Sequence, residues 1–261
     1  MPTPIRPPEH TADSPRISLI TATLNAAATL PKLLASVRQQ TVPPWEHWVI
    51  DGGSQDATLS ILAAHSDQLT GWISEPDSGI AEAMNKGISQ ATGDYLLFLH
   101  ADDALASPDS LAQATSALDN AYGIICFPVW QQRASHLRLL RPKAWGANLN
   151  LKIGRCHQGV ICQRALFATL GAFEPQWRIA MDYDFLLRAY RRGHRAKVCT
   201  TPILAITGGA GISSRQDWPS LRRRLREEQQ IHYHHCPPSW HGLYAAYWAL
   251  YWPYRWLRAL L

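Results

Sequence analysis

The sequence lacks the glycine patterns that cradle nucleotide phosphates: neither G-x-G-x-x-G nor G-x-x-x-x-G-K-[ST] occurs in its 261 residues. That removes the best support for a nicotinamide-dependent dehydrogenase or a P-loop enzyme. Its five cysteines, Cys126, Cys156, Cys162, Cys199 and Cys236, form no C-x-x-C pair. Neither a zinc ribbon nor a secreted disulfide framework fits, and a reducing compartment is expected. No apolar run reaches the ~20 residues of a spanning helix; the stretch 242–252 has 11. The N-terminal segment holds four prolines in its first eight residues and no apolar core of the secretory type. Residues 1–15 are expected to be a disordered lead-in.

What is present is a globular composition, 46% apolar and 17% charged, sufficient for one large α/β domain with an appendage. Charge is uneven. Residues 1–190 carry 14 basic and 17 acidic side chains, whereas residues 191–261 carry 11 and 3. A basic end on an acidic body points to a local anionic partner and argues against a chain-wide nucleic-acid footprint, so no nucleic acid is expected as a partner.

From residue 17 onward, apolar runs alternate with amphipathic stretches. ISLITAT (17–23), WVID (48–51), GWISE (71–75) and DYLLFLH (94–100) read as strands; 29–40, 57–65 and 79–91 read as the helices between them. This rhythm predicts a parallel, doubly wound sheet with helices on both faces. Beyond residue 120, GIICFPVW and SHLRLL predict an antiparallel excursion, so the sheet should be mixed. HQGVICQ (157–163) reads as a strand and MDYDFLLRAYRRG (181–193) as a helix closed by Gly193.

Ligands of open α/β sheets bind beyond the carboxyl ends of the strands. Those ends carry Thr21, Thr23 and Asn25; Asp51, Ser54 and Asp56; Glu75 and Asp77; and Asp102 with Asp103. Carboxylates repel a diphosphate unless a divalent cation stands between them, and hard oxygen ligands suit Mg²⁺ or Mn²⁺. On spacing alone, Asp51 and Asp56 serve equally well as turn and cap residues.

The stretches ISLITATLNAAATLPKLLASVRQQ, VIDGGSQDAT, ISEPDSGIAEAMNKGISQATGDYLLFLHADD, HQGVICQRALFATLGAFE and MDYDFLLRAY together resemble glycosyltransferase family 2 over about residues 16–190. DGGSxD with EPDxGIxxAMNKG is similar to bacterial exopolysaccharide enzymes of the colanic-acid type. The resemblance implies a GT-A, Rossmann-like fold: a mixed, mostly parallel sheet with helices on both faces over residues 16–206, plus a C-terminal helical extension at 207–261. It implies metal-dependent transfer of a sugar from a UDP- or GDP-linked donor to a glycan acceptor, polyprenyl-diphosphate-linked in this reading, and direct in-line attack aided by one general base predicts inversion at the anomeric centre. A non-catalytic nucleotide-sugar-binding or scaffold subunit is the alternative. By the same resemblance Thr21, Thr23, Asn25 and Ser54 belong to the donor pocket, Asp51 meets the base, and Asp77, Asn85 and Lys86 border the sugar and diphosphate. HADD, with His100 where the family has Asn or Asp, implies Asp102 and Asp103 as the metal and ribose residues. Asp182 matches the family's catalytic base, with Asp184 two residues on as the competing choice, and His157-Gln158 falls near acceptor or diphosphate.

Two segments lie outside these motifs. Gly208, Gly209, Gly211, Ser213 and Ser214 suggest a flexible loop, either a lid or a plain linker. Residues 217–230 predict a basic helix opened by Asp217 and Pro219. Residues 239–261 hold eight of the chain's 25 aromatics, and the expectation is an interfacial contact with the cytoplasmic face of a bacterial inner membrane; packing on the catalytic domain or on a second subunit is the competing reading. A homo-oligomer is left open. HYHHC (232–236) has no upstream partner pair for zinc.

Overall fold

Ile17–Thr23 is buried at all seven positions and forms the central strand β1. It is flanked by parallel partners on both sides, which is why no polar face was visible in its sequence. In the computed structural model, which describes residues 14–208 and 217–260, the chain continues as α1 (Leu30–Arg38), β2 (Glu46–Asp51), α2 (Thr58–Ala64), β3 (Gly71–Ser74), α3 (Ile80–Gln90) and β4 (Tyr95–His100). Then come β5 (Ala104–Leu105), α4 (Ser110–Ala117), β6 (Ile124–Cys126), β7 (Val129–Gln132), β8 (Leu137–Leu140), β9 (Val160–Gln163), α5 (Arg164–Leu170) and α6 (Met181–Arg191). The chain closes with β10 (Ala196–Val198), β11 (Ala205–Thr207), α7 (Trp218–His235) and α8 (His241–Leu260). The expected lead-in before residue 14, and Gly209, Gly211, Ser213 and Ser214 of the expected loop, lie outside the described residues.

The main sheet has the order β10-β6-β9-β4-β1-β2-β3. Strands β3, β2, β1 and β4 are parallel, and β9 runs antiparallel to both β4 and β6. A four-stranded sheet, β5-β11-β7-β8, contains the expected hairpin of β7 and β8. Here the sequence reading is corrected: 123–130 is two strands in different sheets, and 157–159 is a 3₁₀ turn, only Val160–Gln163 being strand.

Side-chain alternation separates two apolar layers. Ile20, Ala22, Leu96 and Phe98 face α3, α5 and α6, whereas Leu19, Leu97 and Leu99 face Leu30, Leu33 and Leu34 of α1. The C-terminal helices are not a detached appendage. Ile231 of α7 joins the layer of α5 and α6, and α8 folds back so that Tyr244 and Trp248 pack on Leu221 and Leu225 of α7. Asp217 caps α7 as predicted, accepting from the Ser220 amide at 3.0 Å. Gly193, at φ 79°, follows α6 in the left-handed conformation that a helix stop favours.

Candidate active site

The same alternation decides what the residues at the end of β1 and β2 do. Thr21 is fully buried on the α1 side, its hydroxyl 3.0 Å from His47 Nε2, and burial lowers that imidazole to about 4, so it is neutral. Asp51 is likewise fully buried. It accepts from the Gly53 and Ser54 amides at 3.1 and 2.9 Å and from the Ser74 hydroxyl at 2.7 Å, besides the Ser54 hydroxyl. With both oxygens engaged by its own turn, Asp51 shapes the loop and has no face for a base. Ser54 is spent in the same turn, since its oxygen also accepts from the Asn25 amide. Asn25, exposed at φ 48°, accepts from the Gln55 amide at 2.8 Å. Asp56 binds the Ala27 amide and caps Thr58, the turn-and-cap role. Thr23, 5% exposed at the strand tip, is different: its hydroxyl is buried with no partner. Such a group points to a ligand or ordered water.

The next strand end brings Asp77 against the β2 turn. A Cβ on Gly52 would meet its Oδ2 at 2.7 Å, so only glycine admits this approach. Burial pushes Asp77 upward, against the Gly79 amide that it accepts at 2.9 Å. Lys86 is held by Glu75 and Glu82 at 2.9 and 3.2 Å. Asn85 departs from its expected place beside the sugar: its amide closes a two-bond ring with the backbone of Phe173, at 2.7 and 3.0 Å, and so anchors the loop between α5 and α6.

At the end of β4 the two aspartates separate. Asp103 is 1% exposed, accepting from the His100 amide at 2.7 Å and from the Gly208 amide at 3.0 Å. This carboxylate closes the HADD turn and ties it to Gly208 after β11. Asp102 is half-buried beside Gly208, where a Cβ would meet its Oδ2 at 2.1 Å. Among the described residues no three His, Cys, Asp or Glu side chains gather at one point. The described residues therefore provide no metal cage of their own. Mg²⁺ and Mn²⁺ take most of their ligands from substrate phosphates and water, and Asp102 as a single carboxylate fits a cation that arrives with a diphosphate.

His100 stacks on His157 at 5.9 Å, and His157 in turn meets Phe98 and Phe173 at 5.4 and 6.0 Å. Burial lowers His157 to about 3, so it is a neutral aromatic plate, with Nε2 buried and unpartnered. Gln158 turns away to accept from the Cys156 thiol. Behind His157 lies a small cavity lined by Phe98, Phe167, Phe173, Phe185 and Asp182. The apolar walls push Asp182 up to about 7, in spite of the Tyr183 amide that it accepts at 2.8 Å. His157 thus links the two parts: it stacks on His100 of the HADD turn and lines the same cavity as Asp182 at the head of α6.

Asp184 goes elsewhere. It is fully buried, paired with Arg188 at 2.9 Å and with His235 of α7 at 2.6 Å. It joins α6 to the C-terminal helix, so the competing choice for the base has no access to substrate. The HYHHC cluster is similarly consumed. His232 lies between the Tyr183 hydroxyl and Trp248 Nε1, at 2.7 and 3.0 Å.

Comparisons with known proteins place this geometry in context. Residues 18–171 match the model of the family described as glycosyl transferase family 2. A PGL/p-HBAD biosynthesis glycosyltransferase of Mycobacterium bovis (strain BCG) is 35% identical over 191 residues, covering 68% of this chain and 70% of that protein. An uncharacterized glycosyltransferase of Mycobacterium tuberculosis is 36% identical over 230 residues, 84% of this chain and 85% of its own length. Among solved structures, mannosyltransferase PcManGT from Pyrobaculum calidifontis, in complex with GDP-Man and Mn²⁺, has TM-score 0.66 at 20% identity, covering 95% of this chain and 74% of that one. S. aureus TarS 1-349 in complex with UDP has TM-score 0.64 at 21% identity, covering 83% and 69%; of a longer TarS structure this chain spans 42%. The fold is GT-A-like.

Proposed function

The chain belongs to glycosyltransferase family 2 and is a glycosyltransferase; on that premise we propose that it transfers a sugar from a UDP- or GDP-linked donor by single displacement, with Asp182 as the general base. The observation that carries the reading is the carboxylate at the head of α6, lining a cavity with His157, which stacks on His100 of the HADD turn, and raised by burial to about 7. A base near the working pH is half ionised there and still basic enough to take a hydroxyl proton, a contribution of roughly 10²–10⁴-fold. One carboxylate and one displacement invert the anomeric centre.

The donor's place is the rim formed by Thr23, Asp77 and Asp102. Asp102 would hold a Mg²⁺ or Mn²⁺ ion that supplies Lewis-acid stabilisation of the leaving diphosphate when bound. His157, neutral and stacked on His100 of the HADD turn, lines the same small cavity as Asp182.

The acceptor is proposed to be a lipid-linked glycan of bacterial cell-surface or exopolysaccharide synthesis, met at the cytoplasmic face of the inner membrane. The support is α8. Its outward side presents Leu243, Leu250, Tyr254 and Leu257, 59%, 76%, 49% and 55% exposed, at spacings that align them along one stripe. Arg258 borders the stripe, and Arg222, Arg223 and Arg226 are exposed on α7. No helix among the described residues is long and apolar enough to cross a membrane, so α8 would lie in the interface.

The functional test is Asp182→Asn with a panel of UDP- and GDP-sugars. Turnover should fall at least 100-fold with donor affinity unchanged; turnover within tenfold of wild type overturns the reading. Flotation with vesicles containing anionic lipid tests the surface. Wild type should float and a Leu250→Glu, Leu257→Glu protein should not, and equal flotation of both rejects it.

A further inference from the structure

The head of α6 is incomplete within its own segment. The helix begins at Met181, and Ala180 before it brings no capping side chain. Amide N–H groups there need acceptors from elsewhere. They find them on α7, nearly 50 positions later: the Glu227 carboxylate accepts from the amides of Ile179 and Ala180 at 2.8 and 2.9 Å, and from Arg178 at 3.3 Å. Three charge-assisted bonds converge on one side chain, at the end of the helix where a negative charge is favoured.

The same loop is pinned at its other end. Asn85 holds Phe173, and the Arg188 guanidinium donates to the carbonyls of Leu170, Gly171 and Ala172. Among the described residues, the hydrogen bonds that fix segment 178–180 from outside come from Glu227, and Asp182 follows one residue later, after Met181. One residue further along α7, Glu228 is 7% exposed, and its charge and that of Arg224 act on Asp182 in opposite senses.

We propose that Glu227 is a positioning residue for the reaction: its carboxylate clamps 178–180 and so aims Asp182, which makes α7 a working part of the catalytic centre. The proposal rests on the reading of Asp182 as the base. Docking of α7 does not depend on Glu227, because Ile231, the Tyr183–His232 bond and the Asp184–His235 pair hold the same helix. Loss of the clamp therefore lets the base wander without releasing the helix. Misplacement of a reacting group by about 1 Å costs on the order of 10²-fold in rate.

The test compares Glu227→Ala, Glu227→Gln and Asp182→Asn, singly and combined, in the full-length protein. Glu227→Ala should lower kcat about 10- to 100-fold with the donor KM within twofold. Glu227→Gln, which keeps one acceptor oxygen, should recover a large part of that loss. In the Asp182→Asn background Glu227→Ala should add almost nothing to the loss, because the group it aims is already gone. The proposal is overturned if kcat of a folded Glu227→Ala protein stays within twofold of wild type, or if the substitution costs as much with Asn at 182 as with Asp. Should Glu227→Ala fail to fold, the same cycle run with Glu227→Gln decides, a kcat loss that persists undiminished in the Asp182→Asn background rejecting the clamp. A different result, Asp182→Asn alone retaining wild-type turnover, removes the base assignment itself.

Discussion

Replacing Asp182 by Asn should stabilise the protein at pH 8 while it lowers turnover at least 100-fold. The ionised carboxylate is held against Phe98, Phe167, Phe173 and Phe185, and burial raises it to about 7. A free aspartate titrates near 3.9, so the gap is about three pH units, a ceiling of ~4 kcal/mol at ~1.36 kcal/mol per unit. The folded state binds this proton more tightly than the unfolded chain does. Stability from this group is therefore full below about pH 4, falls as pH rises toward 7, and is lowest above it. Asparagine carries no such charge. The two proteins should unfold alike at pH 4, and at pH 8 the variant should be more stable by about 1–4 kcal/mol, a melting temperature higher by ~2–4 °C per kcal/mol for a chain of this size. Urea unfolding at a series of pH values measures this. A variant less stable than wild type at pH 8, or a difference independent of pH, would refute the claim that Asp182 is a desolvated carboxylate.

Two further contrasts separate neighbouring aspartates. Asp103→Ala should lower stability by about 1–3 kcal/mol, because the His100 and Gly208 amides lose their acceptor; Asp102→Ala should leave unfolding nearly unchanged and remove the Mn²⁺-dependent thermal shift given by UDP or GDP. Asp184→Ala leaves the Arg188 guanidinium buried without its carboxylate and should cost about 3–5 kcal/mol in urea unfolding, with kcat per folded molecule within a few-fold of wild type.

The parallel half of the fold was readable because each strand from β1 to β4 is a short apolar run and each helix between them carries its apolar residues at helical spacing. The site was readable in outline for the same reason, since abrupt polar residues mark the strand ends. Which of those residues reach substrate was not. Thr21 and Asp51 are polar residues at the right strand ends, yet alternation turns Thr21 toward α1 and the β2 turn encloses Asp51. Asp102 and Asp103 are identical in type and adjacent, and only the fold's return at Gly208 shows that 103 is the one that ties the turn to that segment. Asn85 is called away by a backbone 88 residues distant. Glu227 left no local signal: as one of two adjacent acidic residues in a basic helix it reads as a solvated charge, and its partners are set by tertiary packing. The aromatic C-terminal segment divides between two fates, with Tyr244 and Trp248 buried against α7 and Leu250 with Leu257 left outward.

The pH dependence of kcat tests the central assignment most directly. Wild-type turnover at saturating donor and acceptor should rise with a single acid limb centred near pH 7, as Asp182 ionises, and level off above it. A rate that is flat from pH 5 to 8, or an acid limb that persists unchanged in Asp182→Asn, would contradict it.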